Sequence, residues 1–361
     1  MKLTSLNTIH KNLGAKLVDF AGFEMPVQYT SIKEEHFAVR ERVGIFDVSH
    51  MGEFVIKGKD ATNLLQYICT NDIQKIENFQ CQYNCMPNEK GGIIDDLIVY
   101  KWNDLEYNLV VNASNIIKDF NWIVKIKNEM NFEVEITDIS DECSLIALQG
   151  PKATELLQEL TNVDLSSIKY YHFASGSIAG LDDIIISNTG YTGSGGFELY
   201  VWNKDAASLW NELMNVGEKY GILPCGLASR DTLRLEKGFC LYGNDIDDTT
   251  SPLEANLGWI TKFNKNFVAK EILEKQKKEG ITKKLVGFKM LDKGIPRHDY
   301  LIKDNDNNVI GKVTSGTSSP MLNIGIGLGY VSINNSTIGE TIYIEVRDKL
   351  LKAEVVKLPF V

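Results

Sequence analysis

Apolar and polar positions along the chain change between helical spacing and strand spacing, which predicts a mixture of helices and strands. Ser31 and Glu34 form a capping-box pattern, and the apolar positions after them recur at helical spacing, so we expect a helix that ends before Gly44. The segment EFVIKG alternates in the manner of a strand, with Phe54 and Ile56 on one face. A helix predicted in DATNLLQYI follows it, so the chain begins as an α+β fold.

A hairpin is predicted in GGIIDDLIVYKWNDLEYNLVVNASN. Its strands cover residues 93–101 and 106–112 and are joined around Asn103 and Asp104. A second pair of strands, in DDIIISNTGYTGSGGFELYVW, is separated by a glycine-dense turn. Further helices are predicted over residues 115–128, 206–216, 226–236 and 270–278.

The pattern changes near Lys283, where a series of short β runs begins. These runs are KLVGFKML, GKVTSG, GIGLGYV, TIYIEV and AEVVKL, and turns of Gly, Asn and Asp divide them. No repeat of fixed period and no low-complexity tract occurs in the sequence. The sequence therefore predicts a separate C-terminal β domain.

Composition narrows the class of protein. With 361 residues, 43% of them hydrophobic and 24% charged, the chain is long enough for two or three domains with sizeable cores. The formal charge is -10 and no run of Lys and Arg occurs, so nucleic acid is not expected as a partner. No stretch is apolar enough for a signal peptide or a membrane span, so we expect a cytoplasmic protein without a membrane partner.

The six cysteines and five histidines are scattered along the chain. Only Cys81 and Cys85 lie close together, and no second pair of ligands is near them in the sequence. We therefore expect no metal site, and we expect the cysteines to be small buried residues or free thiols.

The adjacent carboxylates Asp95 and Asp96 lie at the entry to the first hairpin strand. Side chains alternate across a strand, so only one of the two can face a given pocket, and Asp96 shares its face with Ile98 and Tyr100. A carboxylate beside an aromatic ring could form the floor of a ligand site. The pattern alone favours a different interpretation, in which GGIIDD is a turn with solvated acids.

Three further polar positions are candidates for ligand contacts. Asn112 ends the facing hairpin strand, Glu198 follows the turn GYTGSGG, and Arg230 lies four residues before Arg234 on one helical face. The alternative for Asn112 is a residue that only ends the strand, and the alternative for Glu198 is a position on the solvent-exposed face. The alternative for the arginines is a surface ion-pair network. The turn leads into a strand and not into a helix, so its glycines are expected to supply positive φ and close approach, not a pyrophosphate site. Three tyrosines flank these segments: Tyr83, Tyr100 and Tyr191. They could either stack on a flat heterocycle or fill the core.

Long stretches of the chain resemble the glycine cleavage T-protein family. The matching segments occur in the family's order, cover nearly the whole chain, and are LGAKLVDFAGFEMPVQY, VGIFDVSHMGEF, NEKGGIIDDLIVYK, NTGYTGSGGFEL, GLASRDTLRLEKGFCLYGNDI, SPLEANLGW and GKVTSGTSSPMLNIGIGLGYV. The resemblance implies an α+β, three-lobed folate-binding aminomethyltransferase fold with a ferredoxin-like lobe and a C-terminal β-barrel domain. It implies two interwoven α/β lobes in residues 1–275, with the ferredoxin-like lobe at about 52–136, and a barrel in residues 283–361 that completes a folate channel.

The resemblance also implies an activity, the transfer of an aminomethyl-derived one-carbon unit from the lipoyl arm of H-protein to tetrahydrofolate. The products would be methylenetetrahydrofolate, ammonia and the reduced arm. The position that matches the family's catalytic aspartate is Asp96, which would orient the nucleophile and stabilise an iminium-like cation. Glu198, as acceptor, and Arg230, as donor, match the positions that contact the pterin ring. The resemblance also implies, on weaker matches, contacts around the folate site from Asn112, Tyr83, Tyr100, Tyr191 and Met51.

The sequence departs from the family pattern at its end, and two related functions are alternatives. The chain stops at KLPFV, without the few further residues of many members, so we carry over no folate-tail contact from that segment. A folate-binding iron-sulfur assembly factor has a KGCYxGQE-type motif, whereas this chain has EKGFCLYGND, with Cys240 one position later and no Gln-Glu pair. A folate-dependent demethylase of a small methylated substrate has a related fold, and the dense match to T-protein motifs disfavours it.

Overall fold

The computed structural model describes all 361 residues as an alternation of helices and strands. The α-helices are α1 Asn7–Asn12, α2 Ile32–Glu41, α3 Ala61–Ile68, α4 Ile116–Glu129, α5 Ala153–Gln158, α6 Asn203–Gly217, α7 Leu227–Glu236 and α8 Lys270–Glu279. The strands are β1 Lys16–Phe20, β2 Phe23–Gln28, β3 Gly44–Asp47, β4 Gly52–Lys57, β5 Gln80–Pro87, β6 Ile93–Asn103, β7 Glu106–Val111, β8 Glu135–Asp138, β9 Cys143–Gln149, β10 Phe173–Ile178, β11 Leu181–Ser187, β12 Gly196–Trp202, β13 Leu223–Pro224, β14 Lys283–Met290, β15 Leu301–Lys303, β16 Val309–Ser318, β17 Gly325–Ser332, β18 Thr341–Val346 and β19 Lys349–Val356. None of the helices combines the length and the apolar composition needed to cross a bilayer.

The chain folds as two compact units whose segments are interleaved in sequence. The first unit comprises residues 1–65, 73–83 and 97–231, and the second comprises residues 66–72, 84–96 and 232–361. All six cysteines are free thiols, and four of them are buried.

The main core of the first unit lies against a six-stranded sheet with the order β10-β11-β12-β9-β3-β13. Strand β9 is almost continuously apolar, and Ile146 and Leu148 on it share one core with Trp210 of α6. Helix α6 buries residues three and four positions apart, which is the spacing of a single helical face. This packing fixes β12, which is the neighbour of β9 in the sheet.

A second sheet has the order β5-β6-β7-β4-β8. Without β5, its elements run β4-α3-β6-β7-α4-β8 along the chain, which is the ferredoxin-like β-α-β-β-α-β arrangement. Phe54 of β4 meets Phe120 of α4 edge to face with 5.6 Å between ring centroids, so the helix covers the sheet through aromatic packing. The predicted hairpin is confirmed as β6 and β7, with Tyr100 opposite Asn108.

The second unit contains a closed barrel with the strand order β14-β17-β16-β15-β18-β19. Phe288, Val313 and Ile342 are fully buried members of its core. Closure leaves no unpaired strand edge in this part of the chain. The expected fold class is confirmed, because the chain is α+β, contains a ferredoxin-like lobe and ends in a closed barrel.

Candidate functional site

The turn GYTGSGG between β11 and β12 is held in one conformation by its glycines and by Arg40. The guanidinium of Arg40 donates to the Thr192 carbonyl at 2.5 Å and to the Ser194 hydroxyl at 2.7 Å. A Cβ on Gly196 would lie 2.2 Å from the Leu148 carbonyl oxygen, so only glycine fits there. Positive φ angles of 65°, 77° and 120° occur at Gly193, Gly195 and Gly196. The expectation that these glycines supply positive φ and close approach is confirmed.

Helix α7 begins at a fixed point and projects Arg230 from its first turn. The Glu35 carboxylate of α2 accepts the Gly226 N–H at 2.8 Å and the Tyr29 N–H at 2.7 Å. A Cβ on Gly226 would lie 2.4 Å from the Val27 carbonyl carbon, so the backbones can approach only because residue 226 is glycine. These contacts place the start of α7 against α2 and β2, which fixes the direction of the Arg230 side chain.

The guanidinium of Arg230 packs on an aromatic ring but lacks an acceptor. Its Cζ atom lies 4.7 Å from the centroid of the Tyr191 ring, which the glycine turn presents. The buried Nη1 atom has no hydrogen-bond partner. Burial lowers the pKa of Arg230, and the negative charge of Glu198 opposes this effect. A desolvated guanidinium donor without an acceptor is destabilising by itself, so it indicates a place for a ligand acceptor.

Glu198 lies on β12 with 7% of its surface exposed, so the alternative of a position on the solvent-exposed face is wrong. The Thr189 hydroxyl donates to Oε2 of Glu198 at 2.5 Å. Burial raises the pKa of Glu198, whereas the hydrogen bond from Thr189 and the charge of Arg230 lower it. The carboxylate is therefore a desolvated acceptor that faces a positive charge within the first unit.

A network of buried hydroxyl groups extends from Glu198 and was missed by the sequence analysis. Ser187 and Thr189 lie 2.8 Å apart between their hydroxyl oxygens, and Ser187 donates to the Tyr100 hydroxyl at 3.2 Å. The Tyr100 hydroxyl lies 3.3 Å from that of Thr189 and 2.7 Å from that of Tyr200. The sequence did carry one signal for this network, the two-residue period of β12. Glu198 and Tyr200 are two residues apart and therefore share a face of the strand.

His50 is a second residue that the sequence analysis did not select. The residue is 3% exposed, its Nδ1 atom has no hydrogen-bond partner, and its ring centroid lies 5.3 Å from that of Phe20. Burial, followed by the positive charge of Arg230, lowers the pKa of His50 to about 4, and Asp47 acts in the opposite direction. At neutral pH the imidazole is therefore neutral. No sequence pattern marked His50 as a site residue, because its buried environment arises only from tertiary packing.

Asp95 and Asp96 lie in the second unit, at the start of β6. Asp95 is fully buried and Asp96 is half-buried, so the interpretation of GGIIDD as a turn with solvated acids is wrong. The strand entry is anchored because the Ile93 N–H donates to the Asp247 carbonyl at 3.1 Å and the Tyr242 hydroxyl donates to the Ile93 carbonyl at 3.0 Å.

The Asp96 carboxylate lies close to two thiols of the same unit. Burial and then the charge of Asp96 raise the pKa of Cys85 well above its usual range. Burial raises the pKa of Cys240 as well, with further contributions from Asp245 and Asp96. Asp96 therefore has two neutral sulfur groups near it.

The remaining sequence-selected residues occupy varied environments. Tyr100 is buried, with 2% of its surface exposed. Arg234 is also buried and pairs with Asp245 at 2.7 Å, so the surface ion-pair network is wrong for this arginine. The half-buried members of the set are Met51 before β4, Tyr83 on β5, Asn112 after β7 and Tyr191 in the glycine turn.

Two family models match the chain, one in each part of the sequence. The GCVT N-terminal domain matches residues 6–265, and the glycine cleavage T-protein C-terminal barrel domain matches residues 283–361. Together they account for most of the chain.

Individual relatives match over the full length. An aminomethyltransferase of Flavobacterium psychrophilum is 56% identical over 360 residues, which covers 100% of this chain and 99% of the relative. An aminomethyltransferase of Halothermothrix orenii is 52% identical over 362 residues and covers 100% of both chains. The crystal structure of glycine cleavage system aminomethyltransferase T from Bartonella henselae is 32% identical, with a TM-score of 0.93 and coverage of 100% of this chain and 98% of that one.

Proposed function

Because the chain belongs to the glycine cleavage T-protein family, we propose that Glu198, Arg230 and Asp96 are the main residues with which it transfers a one-carbon unit to tetrahydrofolate. The chain is a tetrahydrofolate-dependent aminomethyltransferase. The observation that carries the residue assignment is the desolvated pair of Glu198 and Arg230, in which a buried guanidinium donor has no acceptor in the protein.

The proposed donor is an aminomethyl group bound to a lipoyl sulfur of H-protein. In the transfer, the carbon–sulfur and carbon–nitrogen bonds of the donor break, and two carbon–nitrogen bonds to the folate form. The two protons released from the folate nitrogens go to ammonia and to the lipoyl sulfur. The reaction balances without an oxidant or a reductant.

The chemistry of the site in the first unit fits a pterin ring. A pterin has an edge rich in N–H donors and also has ring acceptors, so it needs a carboxylate and a planar donor. Glu198 would accept hydrogen bonds from the donor edge. Arg230 would donate a hydrogen bond to a ring acceptor from Nη1, which has no partner in the protein. Tyr191 would hold the guanidinium plane in place through its stacked ring.

Asp96 is proposed as the catalytic carboxylate. Tetrahydrofolate supplies the nitrogen nucleophiles when it is bound. A carboxylate can orient such a nucleophile, take up its proton and stabilise positive charge that develops on the transferred carbon. Cys85 and Cys240 lie near enough to Asp96 for its charge to raise the pKa of each thiol.

The rest of the proposal follows the family pattern. Asn112, Tyr83, Tyr191 and Met51 are proposed as further contacts of the folate, and Tyr100 is proposed to belong to the site through Glu198. The proposed folate-binding region is residues 1–275, with its ferredoxin-like lobe at about 52–136, and the proposed barrel domain is residues 283–361. We propose that the protein acts in the cytoplasm with lipoylated H-protein as its partner.

The test of the reaction is the folate-dependent release of ammonia from H-protein that carries the aminomethyl group. We expect ammonia release with the loaded carrier and none with free sarcosine or dimethylglycine. Turnover of the free methylated amines without activity on the carrier would instead identify a demethylase.

The test of the pterin site is Glu198→Ala, followed by direct titration with tetrahydrofolate. We expect the dissociation constant to rise by roughly 10-fold to 100-fold, as for the loss of a hydrogen bond to a charged group. Glu155→Ala is the matched control, because Glu155 lies on α5 with an exposed side chain. Equal affinity in the Glu198 variant and the control would rule out the assignment.

A further inference from the structure

We propose that Thr189 is a positioning residue for Glu198, which it holds in the orientation and charge state that bind the pterin ring. This inference rests on the proposed function of Glu198 and extends it to a residue with no proposed ligand contact. The hydroxyl of Thr189 is bonded to Oε2 of Glu198 at 2.5 Å. This contact leaves Oε1 of Glu198 to accept from a ligand.

The position of Thr189 is itself determined by buried groups. Thr189 is 3% exposed and lies two residues after the end of strand β11, whose last residue, Ser187, lies opposite Glu198. The carbonyl of Thr189 accepts from the Gln149 side-chain amide at 3.2 Å. The residue therefore has little freedom to leave the carboxylate, because both its backbone and its hydroxyl are held.

The charge on Glu198 orders the hydroxyl network behind it. A carboxylate only accepts hydrogen bonds, so Thr189 donates its one hydroxyl proton to Glu198 and can only accept from its other neighbours. The hydroxyls within reach of Thr189 are those of Ser187 at 2.8 Å and Tyr100 at 3.3 Å. Tyr200 can donate in turn to Tyr100 at 2.7 Å. Because Ser187 donates to the Tyr100 hydroxyl, the donor to Thr189 is Tyr100, and these hydroxyl dipoles then point towards the carboxylate and stabilise its negative charge in a desolvated site.

Tyr100 contributes to this network through its hydroxyl. Its ring is packed edge to face against Phe173 and Tyr200, with centroid distances of 5.4 Å and 5.5 Å. With 2% of its surface exposed, Tyr100 supports Glu198 through Thr189 and does not stack on the ligand.

Loss of the Thr189 hydroxyl also has a predictable effect on pH dependence. The hydrogen bond favours the charged form of Glu198, so its removal raises the pKa of that carboxyl above an already raised value. Binding that needs the carboxylate is then lost at a higher pH. The titratable groups in electrostatic contact with Glu198 are Arg230, Tyr100, Tyr200, Tyr170 and Cys81.

The experiment compares Thr189→Val, which keeps the shape and removes the hydroxyl, with Thr189→Ser, which keeps the hydroxyl. For Thr189→Val we expect the KM for tetrahydrofolate to rise about tenfold, kcat to change by less than about twofold, and the acid limb of kcat/KM to move to higher pH. Thr189→Ser should stay within about threefold of the wild type. The matched control is Thr161→Val, because Thr161 is also buried and donates to the Ser177 carbonyl at 2.7 Å, and it should leave KM and the acid limb unchanged.

The variant Glu198→Gln distinguishes a failure of this inference from a failure of the proposed role of Glu198 in pterin binding. If Glu198→Gln raises the KM while Thr189→Val leaves both KM and the acid limb unchanged, the positioning role is wrong and the role of Glu198 stands. If Glu198→Gln has a wild-type KM, both are wrong. Should Thr189→Val fail to fold, Thr189→Ala, which also removes the hydroxyl, replaces it, and an unchanged KM and acid limb in that variant overturn the inference.

Discussion

Glu198 and Arg230 show how burial shapes the chemistry of single residues. Burial raises the pKa of the carboxyl and lowers the pKa of the guanidinium, because desolvation disfavours the charged form of each. Their mutual attraction opposes both shifts. His50 remains neutral beside Arg230, so the site does not accumulate positive charge. Charged groups that are partly stripped of water form stronger hydrogen bonds to a ligand than solvated groups do.

At the residue scale, the substitution that tests the chemical step is Asp96→Asn. Asparagine keeps the size of the side chain and removes its negative charge and its capacity to take up a proton. We expect kcat to fall by about 10²-fold to 10⁴-fold, with the KM for tetrahydrofolate changed by only a few-fold. The measurement is steady-state ammonia release, with the thermal midpoint as a check of folding. Normal turnover in this variant would remove Asp96 from the mechanism.

The glycine turn and β12 act together as one structural element. The turn presents Tyr191, and the strand presents Glu198 two residues after Gly196. Arg40 of α2 holds the turn from one side, and the Thr192 hydroxyl donates to the Gln149 side chain at 2.8 Å. The element is therefore rigid without a bound ligand, which reduces the entropic cost of binding.

At the element scale, two neighbouring glycines give a matched pair of substitutions. Gly195 has a φ of 77° and open space where a Cβ would lie, whereas Gly196 has a φ of 120° and the Leu148 carbonyl oxygen 2.2 Å away. We expect Gly195→Ala to destabilise the fold by about 1–2 kcal/mol, from backbone strain alone. Gly196→Ala adds a collision with backbone and should destabilise it at least about twice as much. Urea unfolding would measure both, and equal values would contradict the steric argument.

At the scale of the whole molecule, buried ionisable groups outside the binding site influence stability. In the second unit, Arg234 pairs with Asp245 and also donates to the Ser315 hydroxyl of β16 at 2.8 Å. In the first unit, Glu53 of β4 is 5% exposed. Burial, with a smaller contribution from Asp138, raises the pKa of Glu53 to about 7 despite a hydrogen bond with Cys143.

Glu53 predicts a dependence of stability on pH. Its folded pKa of about 7 exceeds the ordinary value of 4.5, so the folded protein binds the proton more tightly than the unfolded chain. The contribution of Glu53 to stability is fully present below pH 4.5 and is lost as pH rises to about 7. Glu53→Gln removes this titration, so the variant should gain about 3 kcal/mol relative to the wild type between pH 4.5 and 8. Thermal melts across this range measure the difference, and a constant difference would contradict the prediction.

Local patterns were sufficient for elements whose signals lie within a few residues. The helix predicted after Ser31 is confirmed, since the Ser31 hydroxyl caps it by accepting the Glu34 N–H at 3.2 Å and α2 ends at Glu41, before Gly44. The strands that the patterns did not predict include β1, β2, β10 and the three-residue strand β15. Short strands of mixed polarity show little periodicity in the sequence. They are stabilised by pairing with strands elsewhere in the chain, which a local pattern does not reveal.

The sequence by itself determined the α+β class, the change to β structure after Lys283, the family and the choice of Asp96, Glu198 and Arg230 as candidates. These conclusions depend on local spacing and on motifs that are contiguous in the chain. Only the tertiary structure decided which polar groups are desolvated and what each one contacts. Thr189 and Tyr100 are 89 residues apart, and Tyr100 and Tyr200 are 100 apart, yet their hydroxyls meet behind Glu198. Burial and hydrogen bonding depend on such distant partners, whose proximity exists only in the folded chain.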